Sequence, residues 1–387
     1  MESSAVWPEP VVRVQSLSES GAPTIPDRYV KPESERPTTE VGGGAITTSG
    51  GSISIPVVDV SSPQDPSTAR LVAAACRDWG FFQAVNHGVS RDLLRRARAA
   101  WRGFFRLPMA AKQRYANAPD TYQGYGSRLG VDPGAVLDWG DYFFLHVRPP
   151  HLLDPLKWPH LPPDLRETTE EYSREVASLC GRLLGAMSAG LGCGESRLQE
   201  AFGGAEGAGV CVRVNYYPRC PQPDLTLGLS SHSDPGGMTV LLADDRVRGL
   251  QVRRHGAGGG GWVTVDPVPD AFIVNVGDQI QVLTNAAYRS VEHRVTVSAA
   301  DERLSLALFY NPRSDLPLAP MPELLLAAAR PPLYRPMTFD QYRLYIRRRG
   351  PRGKAQVDSL ATAAADDDDG CTSAAAATTA AADAAAT

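Results

Sequence analysis

The chain has 387 residues, of which 43% are hydrophobic and 21% charged, with 36 glycines and 32 prolines. That composition excludes a wholly disordered chain, and no run approaches the roughly 18 apolar residues that a membrane span needs. The net charge of −4 is more than accounted for by a terminal stretch holding Asp366, Asp367, Asp368, Asp369 and Asp383 and no base. The rest is nearly neutral, which gives no electrostatic case for nucleic acid or an anionic membrane as partner.

Residues 1–48 are rich in Ser, Pro, Glu and Gly and read as an extended arm, with one short helix expected over Val11–Leu17. No apolar run near Met1 resembles a signal peptide. The six cysteines, Cys76, Cys180, Cys193, Cys211, Cys220 and Cys371, form no CxxC pair. A reducing location, cytoplasmic or nuclear, is therefore expected.

From 49 to 204 the pattern is mixed α/β. A strand is expected at Ile55–Val60, a helix at Ala69–Trp79, an apolar run at Gly80–His87, and helices at Arg91–Phe105 and Leu165–Leu191. The last carries Leu179, Leu183, Leu184 and Met187 at helical spacing. From 205 to 315 the period changes to two, with turn residues between short runs. Strands are expected at Val210–Tyr217, Met238–Leu242, Leu250–Arg253, Trp262–Val265, Phe272–Val276, Ile280–Leu283, Val291–Val297 and Leu304–Tyr310. So many short strands in succession point to a double-sheet jelly roll, a mainly β fold with flanking helices and a helical N-terminal region. The glycine-rich run His255–Gly261 reads as a hairpin tip. In the segment 316–357, Thr338 and Gln341 make a capping box that starts a helix near Phe339. Residues 358–387 are an Ala/Asp/Thr tail too simple in composition to build a core.

Seven histidines are present, and only His232 is followed two residues later by an acid, Asp234. His293 lies in the run Tyr288–Val295, and Arg303-Leu304-Ser305 follows ten residues on. Two imidazoles and one carboxylate on one face of a metal leave three positions open, the arrangement of non-haem Fe(II) oxygenases. Alternation turns His293 inward with Val291 and Val295, and puts Arg303, Ser305, Ala307 and Phe309 on one face of their strand. An inward Arg beside a Ser needs an anion, which a dicarboxylate or an ion pair with Asp301 or Glu302 can supply. In Val210–Tyr217 the shared face is Cys211, Arg213, Asn215 and Tyr217. Arg213 therefore suits a carboxylate-bearing substrate or a structural ion pair. On the C-terminal helix Phe339, Arg343, Ile346 and Arg347 fall on one stripe, where the two arginines either close over the pocket or stay solvated. Phe309, and Phe144 in an expected strand Tyr142–His146, either line an apolar pocket or belong to the core.

Taken together, Trp79–Gly88, Trp139-Gly140-Asp141-Tyr142, Asn215-Tyr216-Tyr217-Pro218, His232-Ser233-Asp234, His293 and Arg303-Leu304-Ser305 resemble the plant 2-oxoglutarate- and Fe(II)-dependent dioxygenases over about residues 50–350. The resemblance implies a distorted double-stranded β-helix, iron on His232, Asp234 and His293, and 2-oxoglutarate on Asn215, Tyr217, Arg303 and Ser305. No other catalytic residue is implied, and His87 reads as structural. The runs Val14–Gly21, Ile25–Val30, Leu229–Gly237, Tyr310–Asp315 and Met337–Arg343 are similar to the jasmonic acid oxidase (jasmonate-induced oxygenase) subgroup. That likeness implies 12-hydroxylation of jasmonic acid, inactivating a hormone precursor, with dioxygen as co-substrate and ascorbate as reductant. In that subgroup the basic residues at Arg343 and Arg347 belong to the substrate site, and Arg213, Phe309 and Phe144 remain the further candidate substrate contacts from their strand faces. A flavonoid-oxidising dioxygenase is the alternative, and a ligand-binding protein without turnover is disfavoured because the metal ligands His232, Asp234 and His293 and the anion clamp Arg303 and Ser305 are all present.

Overall fold

The computed structural model describes residues 11–37, 54–119, 121–128, 134–254, 261–350 and 353–362, with backbone alone for 345–349. Twelve strands build its two main sheets. The N-terminal half supplies β1 (Val57–Asp59), β2 (Phe81–Val85), β3 (Gly124–Gly126) and β4 (Asp141–Arg148). The second half adds β5 (Gly209–Tyr217), β6 (Leu229–His232), β7 (Met238–Leu242), β8 (Leu250–Arg253), β9 (Trp262–Thr264), β10 (Phe272–Val276), β11 (His293–Val295) and β12 (Arg303–Asn311). The larger sheet has the order β1-β2-β10-β7-β12-β5-β4-β3, and the smaller one β6-β11-β8-β9. The jelly roll is therefore present, with all four N-terminal strands joined to the larger sheet.

The outer face of that sheet is apolar by alternation. Val210, Val212, Val214, Leu304, Leu306 and Leu308 point one way and share a buried cluster with Leu179, Leu183 and Leu184. Those leucines belong to the long helix Leu165–Gly190, which packs against the helices Pro66–Asp78 and Arg91–Phe105. The inner faces of the two sheets enclose the cavity. The first glycine of the Trp79–Gly88 run has a backbone role: Gly80 has φ +64°, and a Cβ there would meet the Arg289 carbonyl.

Three expectations need correction. Ile280–Leu283 is not a strand but the end of the helix Asp278–Leu283. A four-residue apolar run has no period of its own, and the Asp278 and Gln279 amides donating to Asp234 and Gly236 carbonyls start a helical turn. The arm helix begins later, at Val14–Glu19. Packing also continues past 358: Leu360 is buried against Tyr334 and Tyr342, and Ala361 bridges Tyr334. The β8–β9 pairing makes a hairpin of Arg253 and Trp262, but 255–260 at its tip lie outside the described residues. So do 1–10, 38–53 and 363–387 of the arm and tail. The capping box forms as expected, with Thr338 Oγ1 accepting from the Gln341 amide at 3.2 Å and Gln341 Oε1 from the Thr338 amide at 3.1 Å. Among the described residues no helix is long and apolar enough to cross a membrane.

The arm docks through Asp141. Its carboxylate accepts from the Val14 and Gln15 amides at 2.9 and 3.0 Å, from Ser127 Oγ at 2.5 Å and from Tyr125 Oη at 3.1 Å. The two amides are orphan donors at the start of Val14–Glu19, satisfied from 127 and 126 residues away. Asp141→Ala strands three buried donors and the half-buried Ser127 hydroxyl and is expected to cost roughly 2–4 kcal/mol. Urea denaturation reads this directly, and an unchanged midpoint would remove the arm from the fold's stability.

Candidate active site

The pairing of β11 with β6 sets His293 directly opposite His232. Asp234 follows β6 by two residues, and the three side chains offer ligand atoms within 4.8 Å of one another. Asp234 Oδ1 lies 3.5 Å from His232 Nε2 and 3.6 Å from His293 Nε2. The other nitrogens are occupied: His232 Nδ1 donates to the Ser230 carbonyl at 2.8 Å, and His293 Nδ1 to the Val291 carbonyl at 3.2 Å. Both Nε2 atoms therefore present lone pairs to the same point as Oδ1.

The carboxylate is oriented too. Asp234 Oδ2 accepts from Thr239 Oγ1 at 2.5 Å and from Asn275 Nδ2 at 2.8 Å, leaving Oδ1 to face the imidazoles. Burial alone would raise the Asp234 carboxyl, but the two histidines and the Asn275 amide outweigh it and hold it below the usual carboxylate range. Burial, with His232 beside it, lowers His293 to about 4, so the imidazole is neutral and able to coordinate at pH 7. Phe81 packs edge-on against His293 at 5.3 Å. Thr239 and Asn275 escaped the sequence reading. Their only signal is a polar residue on the inward face of an otherwise apolar strand.

The cavity beside this triad measures about 220 Å³. Arg303, Ser305, Asn215, Tyr217, Arg213, Phe309, Phe144 and Arg343 all line it, so alternation placed the two long strands correctly. Arg303 makes no ion pair with Asp301 or Glu302. Glu302 turns outward to accept from Tyr216 Oη at 2.6 Å. The Arg303 guanidinium is buried, donates to Ser305 Oγ at 3.2 Å and sits 5.4 Å from the Tyr217 ring. Its Nε has no partner, and burial depresses its pKa. A cation so placed is completed by an anion.

Arg213 lies over the Tyr142 ring at 4.3 Å, again with a partnerless Nε. No carboxylate pairs with it among the described residues. Arg343 reaches the cavity but also pairs with Asp340 at 2.7 Å, on the half-exposed rim. The Arg347 side chain lies outside the described residues. Phe309 and Phe144 are half-buried on the cavity wall rather than in the core. The Tyr142 ring, whose role its motif does not reveal, is the platform under Arg213. His87 is remote and structural, its ring bonded to the Asp270 carbonyl at 2.8 Å and the Val89 amide at 3.1 Å.

A model of the 2OG-Fe(II) oxygenase superfamily matches residues 208–312, and one described as non-haem dioxygenase in morphine synthesis N-terminal matches 55–164. Jasmonate-induced oxygenase 2 of Arabidopsis thaliana is 55% identical over 360 residues, spanning 91% of this chain and 94% of that protein. The chain belongs to the 2OG-Fe(II) oxygenase superfamily. Leucoanthocyanidin dioxygenase 1 of Oryza sativa subsp. japonica is a more distant relative of this oxygenase, at 39% identity over 350 residues, 86% of this chain and 92% of that one. Among solved structures, JOX2 in complex with 2OG, Fe and JA superposes with a TM-score of 0.84 at 54% identity, covering 92% of this chain and 100% of that chain. The oxygenase is thus an Fe(II)- and 2-oxoglutarate-dependent enzyme akin to the jasmonate-induced oxygenases. Its residues fit both groups: two imidazoles whose Nε2 atoms face one oriented carboxylate oxygen suit Fe(II), and Arg303 beside Ser305, with no carboxylate partner among the described residues, suits a dicarboxylate.

Asp234→Ala is expected to abolish turnover. Thr239→Val keeps the shape but removes one of the two hydrogen bonds to Oδ2, and should weaken Fe(II) binding about tenfold in a chelator competition. Retained turnover in the first variant, or unchanged affinity in the second, would overturn the arrangement.

Proposed function

We propose that this oxygenase hydroxylates jasmonic acid at carbon 12, inactivating a hormone precursor, with ascorbate keeping its iron reduced. His232, Asp234 and His293 are the iron ligands in this reading. Arg303 and Ser305 hold the distal carboxylate of 2-oxoglutarate, with Asn215 and Tyr217 alongside. When bound, iron and 2-oxoglutarate supply an oxidant made from dioxygen, able to hydroxylate an unactivated C–H bond as succinate and carbon dioxide form.

The protein's own contribution is placement. Phe144 and Phe309 exclude water from the apolar part of the substrate, and Arg213 and Arg343 hold its carboxylate, with Arg347 on the same helix stripe. The observation that carries the reading is Arg213, a cation set in an apolar cavity on a tyrosine ring and approached by no carboxylate of the described protein. A substrate acid completes it. The relationship to jasmonate-induced oxygenases, and to a JOX2 structure that contains JA, supports jasmonic acid as that substrate.

Purified protein incubated with Fe(II), ascorbate, 2-oxoglutarate and jasmonic acid should give a product one oxygen heavier, with matching succinate, in mass spectrometry. A parallel incubation with a flavanone should give none. Succinate formed with the flavanone but not with jasmonic acid would transfer the enzyme to the flavonoid class. Arg213→Ala should raise the apparent KM for jasmonic acid about tenfold or more, and an unchanged KM would remove Arg213 from the acid's site.

A further inference from the structure

A guanidinium on a helix fixes a substrate acid only as well as the helix itself is fixed. The helix Phe339–Arg349 carries Arg343, so its rotation about its own axis decides where that guanidinium stands. At roughly 6 Å from the axis, a 20° turn displaces a side chain by roughly 2 Å. Misplacement of a reacting atom by about 1 Å is enough to cost two orders of magnitude in rate. Apolar packing of Phe339 and Tyr342 on Val282, Val357 and Leu360 holds the helix down, but such contacts are non-directional and set rotation poorly.

One buried polar contact supplies the direction. Tyr342, the residue before Arg343, is 1% exposed and donates its hydroxyl to Asp278 Oδ2 at 2.6 Å. Asp278 is fully buried, and its own amide donates to the Asp234 carbonyl at 2.8 Å. Two hydrogen bonds thus run from the neighbour of the substrate arginine to the backbone of the candidate iron ligand. A second tie lies further along the same segment. The Gly353 amide donates to the Ser231 carbonyl at 3.0 Å, and the Ser233 amide to the Gly353 carbonyl at 3.2 Å, bracketing His232.

We propose that Tyr342 and Asp278 are positioning residues: their hydrogen bond sets the rotation of the C-terminal helix, and through Arg343 the place of the substrate carboxylate relative to the iron site. The inference rests on the reading of Arg343 as a ligand for the substrate acid.

Tyr342→Phe deletes only the hydroxyl. The apparent KM for jasmonic acid is expected to rise about tenfold, and hydroxylated product per succinate to fall at least about twofold, with the KM for 2-oxoglutarate unchanged. Combining Tyr342→Phe with Arg343→Ala should add nothing to the KM of Arg343→Ala alone, because both act on one contact. Additive effects, or a Tyr342→Phe enzyme with unchanged KM and coupling, would overturn the proposal. If the wild-type enzyme does not oxidise jasmonic acid, the substrate reading fails by itself, and amide hydrogen exchange decides the positioning role. Faster exchange confined to 339–350 in Tyr342→Phe, with substrate-free 2-oxoglutarate decarboxylation retained, would keep it. Unchanged protection there would overturn it.

Discussion

The register of β12 is the constraint on which the site depends. Its nine residues pair with β5 from Arg303–Tyr217 to Asn311–Gly209, and five of them also pair with β7. Side chains alternate with a period of two, so a slip of one residue would send Arg303, Ser305 and Phe309 into the helical layer and turn Leu304, Leu306 and Leu308 to the cavity. The leucine face, buried against the long helix, makes that slip prohibitive. The hydrophobic layer on one side of the sheet therefore determines which polar groups line the other.

Within that frame the site is a set of groups held in costly states by their neighbours. Asp234 is buried, yet Thr239 and Asn275 both donate to its Oδ2 and leave only Oδ1 facing the two histidines. Arg303 and Arg213 are cations set against tyrosine rings, each with a guanidinium nitrogen left without a partner. The carboxylates nearby are engaged elsewhere: Asp244 accepts from Arg102 and the Leu304 amide, and Glu302 from Tyr216. Both guanidinium groups are thus left without a carboxylate partner among the described residues.

Much of this was legible because it is periodic. The helix Arg91–Phe105 and the faces of β5 and β12 follow from spacing alone, and with the faces came the cavity positions of Arg213, Asn215, Tyr217, Arg303, Ser305 and Phe309. What stayed hidden depends on contacts between distant residues. Asp141 looks like any strand acid until the start of the arm helix arrives from the far end of the chain. Nothing in a lone Asn275 or Thr239 announces that each will meet Asp234. The run Ile280–Leu283 is too short to carry a period, and its helix exists because the loop after His232 offers carbonyls to its first amides. That misread helix is also the platform on which the C-terminal segment docks.

β6 is four residues long and forms the edge of the smaller sheet. An uncovered edge strand exposes a row of amides and carbonyls on which another chain can add, the first step of aggregation. Here Gly353 occupies that row beside His232 with one donor and one acceptor. Its φ of +56° and the nearness of Glu292 Oε1 to where a Cβ would stand restrict the place to glycine. The C-terminal segment therefore also guards against aggregation: without Gly353, the strand that carries His232 would present an open, adhesive edge.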